Sequence, residues 1–104
     1  KLKIIGLGAI ASISGRFYAM DRDNNWDRIE KAYRAIVDGK NEIKYEDPIE
    51  AIKASYSHGI YDEEFIPTAI VDDRQQAKGK IQDGDSIIFF NFRSDRARQL
   101  TKAL

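Results

Sequence analysis

The chain contains no cysteine, only one histidine and no long apolar run. Without cysteine it has no disulfide framework, no thiolate nucleophile and no zinc or iron–sulfur site with cysteine ligands. With His58 as its single histidine, it has no metal site built from several histidines, and a histidine-dependent relay would have to use His58 as its base. The residue types that most catalytic sites need are therefore scarce.

A net charge is also lacking. The 17 basic and 17 acidic residues cancel at pH 7, which removes the overall attraction to nucleic acid or to an anionic membrane surface. No stretch approaches the roughly 18 apolar residues of a membrane helix. The apolar part of residues 1–8 is too short for a secretory signal. We therefore expect a cytoplasmic protein with neither nucleic-acid nor membrane partners.

The chain is long enough for one folded domain at most. Its 104 residues are 42 % hydrophobic and 33 % charged, values typical of a globular protein. The first residue is Lys1 rather than an initiator methionine. We interpret this start as a sign of a longer natural chain, with a start trimmed for purification as the alternative.

The charges are distributed unevenly along the sequence. Four bases stand against one acid in residues 1–22, and again four against one in residues 93–104. Residues 41–74 contain nine acids and three bases. If folding brings the two ends together, they form a local cationic surface, which suits a small anion better than a polymer.

Three stretches rich in β-branched and aromatic residues predict strands. These stretches are residues 10–14, 65–71 and 86–92, and Pro67 places the second at an edge or a bulge. Residues 86–92 are apolar at nearly every position. We therefore expect both faces of that strand to be covered.

Three helices are predicted from apolar spacing and capping residues. One runs from Trp26 to a stop at Gly39, and the last covers residues 94–104. Between them, Asp47 is the expected N-cap of a helix whose capping box Glu50 completes. This order of elements predicts the α/β class, with a layered sheet of mainly parallel pairing flanked by helices.

Two arginines follow the first predicted strand. Arg16 comes directly after Gly15, and Arg22 lies six residues further on. Ligands of α/β proteins gather at the carboxyl ends of strands, and a guanidinium group offers planar paired donors that fit phosphate or carboxylate. We interpret Arg16 and Arg22 as candidate anion ligands.

A second arginine pair begins the last predicted helix. Arg93 and Arg96 flank Ser94 and Asp95. Two cations in the first turn oppose the positive end of the helix dipole, so this arrangement is most favourable when an anion binds there. Arg93 and Arg96 are therefore further candidate ligands, with Ser94 and Asp95 as secondary candidates beside them.

Simpler interpretations stay open for several of these residues. The arginines also fit ion pairs with Asp21, Asp23 or Asp95. Asp21 and Asp23 fit surface ion pairs better than metal ligation. Phe17 and Tyr18 fit either plain packing or the wall of a small pocket. Four further aromatic residues have the spacing of core positions and are expected to pack in the core without a functional role: Trp26, Tyr33, Phe89 and Phe90.

The chain resembles the cofactor-independent phosphoglycerate mutase family over nearly its whole length. Two signatures of that family resemble IASISGRFYAMDRDNNWDRIEKAY (Ile10 to Tyr33) and IIFFNFRSDRARQL (Ile87 to Leu100), in the expected order. The family's pattern is also similar to DPIEAIKASYSHGIYDEEFIPTAIV, which lies between them. Ser94 stands where the family usually has proline, and this change leaves both flanking arginines in place.

The resemblance implies a role for the four arginines. In that family a metal-bound serine in a phosphatase-like domain takes the phosphoryl group from 3-phosphoglycerate and returns it to the 2-hydroxyl, while an inserted transferase domain holds the glycerate. This chain resembles the later part of the transferase domain and is thus an incomplete part of a larger domain. Arg16 and Arg22 match the substrate-binding arginines of GRxYAMDR, and Arg93 and Arg96 match those of NFRxDR.

The resemblance also implies what this chain does not supply. The nucleophilic serine, the metal ligands and the two Mn²⁺ ions expected in the parent enzyme have no counterpart here, so we expect no catalytic or metal-ligating residue and no mutase activity from the chain alone. We expect the parent to be monomeric and the isolated chain to self-associate. The alternative hypothesis is a non-enzymatic module that binds small phosphorylated or carboxylated metabolites.

Overall fold

The computed structural model describes residues 2–40 and 43–104 as short strands and helices. Lys1 and Glu42, which enter the charge pattern above, lie outside the described residues, as does the side chain of Lys3. The helices are α1 (Leu2–Ile5), α2 (Arg16–Ala19), α3 (Trp26–Tyr33, continued by a π-helical turn over Arg34–Asp38), α4 (Pro48–Ser57), a 3₁₀ turn (Asp62–Glu64) and α5 (Ser94–Ala103). The strands are β1 (Ser12–Ile13), β2 (Lys44–Tyr45) and β3 (Thr68–Ile70).

The three strands form one mixed sheet in the order β1-β3-β2. β2 pairs with β3 in parallel, whereas β1 pairs with β3 in the antiparallel direction, with Ser12 opposite Ala69. The predicted α/β class is confirmed, with one parallel and one antiparallel pairing. The prediction that Pro67 marks an edge or a bulge was wrong, because β3 is the central strand and Pro67 lies just before it.

The first two predicted helices are confirmed by their caps. Gly39 ends the helical run from Trp26 with a left-handed φ of 60°, which glycine adopts without steric cost. The Asp47 side chain accepts a hydrogen bond of 2.8 Å from the Ile49 N–H at the start of α4. Glu50 does not complete the expected capping box. Its carboxylate lies 2.9 Å from Lys53 Nζ.

The core lies where α3 and α4 cover the sheet. Ile29, Ala32 and Ala35 are the buried residues of the α3 run. A second buried group consists of Ala51 of α4 with Phe65 and Ile70. Trp26 was expected in this core but is 43 % exposed, and Tyr33 is only half-buried. The indole of Trp26 lies instead beneath Lys102 of α5, whose Nζ is 5.9 Å from the ring centroid.

Residues 86–92 do not form the predicted strand. In the structure they have no regular secondary structure, and Ile88 and Phe90 are 92 % and 81 % exposed. The expected core positions Phe89 and Phe90 are therefore wrong for this chain. A buried strand needs hydrogen-bonded neighbours and covered faces. The described part of the chain provides neither at this segment.

The last predicted helix is confirmed as α5. Leu100 and Gln99 are its buried residues, and the helix packs against α3. Leu104, which follows α5, is exposed. No helix within residues 2–40 and 43–104 is long and apolar enough to cross a membrane.

Candidate anion-binding site

The first arginine pair lies on α2 and on the turn that follows it. Gly15 N–H donates to the Phe65 carbonyl over 2.8 Å and brings the start of α2 beside the 3₁₀ turn. Arg16 is the first residue of α2, and its Nε lies 3.3 Å from Glu63 Oε1. Arg22 follows the end of α2 in the turn toward α3. Both arginine side chains are about half exposed.

The second arginine pair reaches this region because α5 packs on α3. Arg93 is the N-cap residue of α5, and its N–H donates to Asn91 Oδ1 over 3.1 Å. Arg96 extends from the first turn, and its NH1 donates to the carbonyl of Met20 over 3.0 Å. The structure thus joins α5 to the residue at which α2 ends.

Asp95 connects the two arginine pairs. Its Oδ2 accepts from Arg22 NH1 at 3.0 Å and from Arg93 NH2 at 3.3 Å. The hydrogen bond from Arg22, together with the hydrogen bond and charge of Arg93, lowers the pKa of Asp95 below its ordinary value. The alternative that these arginines form ion pairs is therefore confirmed for Arg22 and Arg93. Ser94 begins α5 as an exposed residue beside them.

A small cleft of about 160 Å³ lies beside one arginine of each pair, and Arg22 and Arg93 are not among the residues that line it. Its wall contains Arg16 and Arg96 from the predicted set, and also Arg28 and Phe17. The other lining residues are the carboxylates Asp21, Asp23, Glu63 and Glu64. The expected cationic surface is thus a region of mixed charge. Phe17 lines this cleft, which agrees with the second of its two interpretations.

Asp21 and Arg28 belong to this cleft, and the sequence did not single out Arg28. Asp21 is only 4 % exposed. Its Oδ1 accepts from Asn25 Nδ2 at 2.8 Å, its Oδ2 accepts from the backbone N–H groups of Asp23 and Asn25, and Arg28 NH1 lies 3.6 Å from Oδ1. The Arg28 guanidinium also lies 3.8 Å from the centre of the Phe17 ring. The sequence alone did not predict these contacts, because only the folded turn between α2 and α3 brings Arg28 to Asp21 and Phe17.

The pKa of Asp21 follows from the same contacts. Burial by itself would raise this pKa, but the hydrogen bonds from Asn25 and Asp23 and the charge of Arg28 outweigh burial. The pKa of Asp21 is therefore lowered from its ordinary value, and the side chain is a carboxylate at neutral pH.

These carboxylates do not fit a metal site. The oxygens of Asp21 accept hydrogen bonds from N–H donors, which is the pattern of a turn-stabilising carboxylate. In the part of the chain that the structure describes, no group of three His, Asp or Glu side chains is placed to hold a metal ion. We therefore assign no metal-dependent step to these residues.

Comparison with known proteins places this chain among phosphoglycerate mutases. The family profile described as BPG-independent PGAM N-terminus matches residues 1–104. The chain is 52 % identical over 103 residues to the 2,3-bisphosphoglycerate-independent phosphoglycerate mutase of Lachnoclostridium phytofermentans, covering 99 % of this chain and 20 % of that protein. It is 55 % identical over 97 residues to the Thermomicrobium roseum enzyme of the same name, covering 93 % of this chain and 18 % of that protein.

A solved structure agrees with this similarity. The chain superposes on phosphoglycerate mutase of Leishmania mexicana, studied at low cobalt concentration, with a TM-score of 0.86 and 35 % identity, covering 91 % of this chain and 18 % of that one. The chain thus spans about a fifth of the length of these relatives. With a family profile that matches throughout and a shared fold, the chain belongs to the 2,3-bisphosphoglycerate-independent phosphoglycerate mutase family.

Proposed function

We propose that residues 1–104 form the later part of the transferase domain of a full-length phosphoglycerate mutase. In this role Arg16, Arg22, Arg93 and Arg96 bind the phosphate and carboxylate groups of 3-phosphoglycerate and 2-phosphoglycerate. The full-length protein is a cytoplasmic, monomeric isomerase with two Mn²⁺ ions and acts through a phosphoserine. The chemical steps belong to a phosphatase-like domain outside this chain.

One observation carries this proposal. Arg22 and Asp95, which are 73 positions apart in the sequence, meet at 3.0 Å. Arg96 reaches the Met20 carbonyl in the same region. Two motifs that are distant in the sequence therefore meet in one region, which supports a common ligand for the arginines of both.

The paired arginines retain donors for such a ligand. A guanidinium group has five N–H donors, and Asp95 accepts one hydrogen bond from Arg22 and two from Arg93. A phosphate or carboxylate group therefore binds the remaining N–H groups without displacing Asp95. Asp95 keeps the two guanidinium groups side by side, which lowers the ordering cost of binding an anion.

The arginines bind and orient the substrate, and they do not break the phosphate ester bond. Alignment of reacting groups contributes about 7 to 11 kcal/mol to barrier lowering in favourable cases. In the full-length protein, metal ions bound elsewhere would activate the serine that accepts the phosphoryl group. We expect the isolated chain to form no 2-phosphoglycerate from 3-phosphoglycerate with Mn²⁺ present. Robust turnover by this chain alone would contradict the proposal.

The substrate contact is tested by Arg96→Ala in the full-length protein. We expect a loss of about 2 to 4 kcal/mol of transition-state stabilisation, measured from kcat/KM, if Arg96 contacts the phosphoryl group or the glycerate. The matched control is Arg98→Ala, because Arg98 is an exposed arginine on the same helix. An unchanged kcat/KM for Arg96→Ala would rule out the contact.

The alternative of a non-enzymatic anion-binding module makes a different prediction. Such a module binds 3-phosphoglycerate or inorganic phosphate as the isolated chain with useful affinity, and calorimetric titration measures this directly. The relatives' length, about five times that of this chain, favours the mutase proposal.

A further inference from the structure

The turn between α2 and α3 carries two groups of the proposed site. Arg22 lies in this turn, and Met20, whose carbonyl accepts from Arg96, ends α2 just before it. Residues 21–25 have no regular secondary structure, and Asn24 has a left-handed φ of 62°. The positions of the Arg22 side chain and the Met20 carbonyl therefore depend on the interactions that stabilise this turn.

The buried Asp21 side chain provides the hydrogen bonds that hold the turn. Its Oδ2 accepts from Asp23 N–H at 3.1 Å and from Asn25 N–H at 2.9 Å, and its Oδ1 accepts from Asn25 Nδ2 at 2.8 Å. The carboxylate thus binds the turn along its length and presents Arg22, its immediate neighbour, toward Asp95. A buried carboxylate of this kind needs a nearby positive charge.

Arg28 supplies that charge and connects the turn to the flanking helices. It is the third residue of α3, its NH1 lies 3.6 Å from Asp21 Oδ1, and its guanidinium lies over the Phe17 ring of α2 at 3.8 Å. A planar guanidinium makes both contacts at once, whereas an ammonium group is a compact point charge without a flat face. Arg28 thus ties α2, the turn and α3 together.

We propose that Asp21 and Arg28 are positioning residues that hold Arg22 and the Met20 carbonyl in place for substrate binding. This inference rests on the proposed function, since it assumes that Arg22 and Arg96 bind phosphoglycerate. Asp21 and Arg28 do not contact substrate themselves. They act by fixing the turn to which Arg22 belongs and which directly follows Met20, the hydrogen-bond partner of Arg96.

The test uses Asp21→Asn and Arg28→Lys in the full-length protein, with steady-state kinetics for 3-phosphoglycerate. We expect each variant to raise KM about tenfold or more while kcat falls less, because Asp21→Asn weakens the hydrogen bonds that the carboxylate accepts and Arg28→Lys removes the planar group that covers the Phe17 ring. The controls are Glu30→Gln and Arg34→Lys, which alter an exposed ion pair further along the same helical run. Both controls should keep the wild-type KM.

A double variant separates positioning from general stabilisation. Because Asp21 acts partly through Arg22, Asp21→Asn should raise KM by a smaller factor in an Arg22→Ala background than in the wild type. A merely structural role lowers the thermal midpoint and leaves KM unchanged, or acts with equal size in both backgrounds, and either result overturns the inference. Arg28→Lys keeps the test open if Asp21→Asn fails to fold. An inactive wild-type protein would overturn the proposed function as well, whereas an active wild type with an unaffected Asp21→Asn overturns only this inference.

Discussion

At the scale of single residues, Gly15 shows how close packing sets the position of Arg16. Its φ of −72° is open to any residue, so its conformation does not require glycine. The space does. A Cβ atom on Gly15 would lie 2.5 Å from Phe65 N and 2.8 Å from Glu63 C, both backbone atoms that cannot rotate away. Glycine is needed here because two backbone segments pass side by side.

We therefore expect Gly15→Ala to destabilise the chain by about 2 kcal/mol or more, in the range typical of overpacked positions. The free energy of unfolding in urea measures this effect. Gly59→Ala is the comparison, because its φ is +74° but nothing lies within 4 Å of the added Cβ. It should show only the conformational strain of about 1 kcal/mol. Equal effects for the two variants would contradict the crowding argument.

The carboxylates Asp21 and Asp95 make stability depend on acid. Both pKa values are lowered in the folded state, so each carboxylate stabilises the fold at neutral pH. This contribution is present above the unfolded-state pKa of about 3.9 and is lost as the pH falls through the lower folded-state pKa. We expect the free energy of unfolding to change little between pH 7 and pH 5 and to fall below about pH 4. Asp21→Asn should show a shallower acid dependence than the wild type, and an identical profile would contradict this assignment.

At the scale of elements, local chemistry decides the ends of the helices. Asp47 caps α4 through a hydrogen bond to the Ile49 N–H, and Pro48 occupies the first helical position. At the other end of α4, His58 Nδ1 lies 2.7 Å from the Ala54 carbonyl oxygen. The N-terminal contacts follow from neighbouring residues alone, which is why this start was predictable.

We expect Asp47→Ala to lower the free energy of unfolding by about 1 kcal/mol, the usual cost of losing an N-cap. Thermal or urea unfolding followed by circular dichroism measures the change. Asp47→Asn is the matched control, since asparagine is an equally good cap. A loss for Asp47→Asn as large as for Asp47→Ala would show that charge rather than capping is responsible.

At the scale of the whole molecule, an apolar segment stays uncovered. Residues 86–92 are exposed along most of their length, with Phe90 and Phe92 in an edge-to-face pair 5.1 Å apart. Large exposed apolar patches promote association with another surface. In the full-length protein we propose that other parts of the chain cover this segment.

The isolated chain should therefore self-associate through residues 86–92. Light scattering coupled to size-exclusion chromatography should show a mass that rises with concentration. Ile88→Lys and Phe90→Lys should shift the chain toward monomer, whereas Gln82→Lys, which adds the same charge at an exposed position before the segment, should not. A strict monomer at all concentrations would contradict the prediction.

The sequence by itself determined the local features of this protein. Gly39, Asp47 and the apolar spacing of α3 predicted helix ends and buried faces, because helices are made of contacts between near neighbours. The two motif strings also identified the family, since they preserve the order and type of residues along the chain.

The tertiary structure alone decided the rest. Strand pairing depends on partners that are distant in the sequence. The composition of residues 86–92 predicted a strand, but in the described chain this segment has no neighbouring strand to pair with. β3, in contrast, is the central strand although Pro67 directly precedes it. The sequence named Arg22 and Arg93, but only the packing of α5 on α3 brought both to Asp95. The Arg28 contacts with Asp21 and Phe17 appeared only once the turn was folded, because the path of the turn, which residue order does not give, brings these residues together.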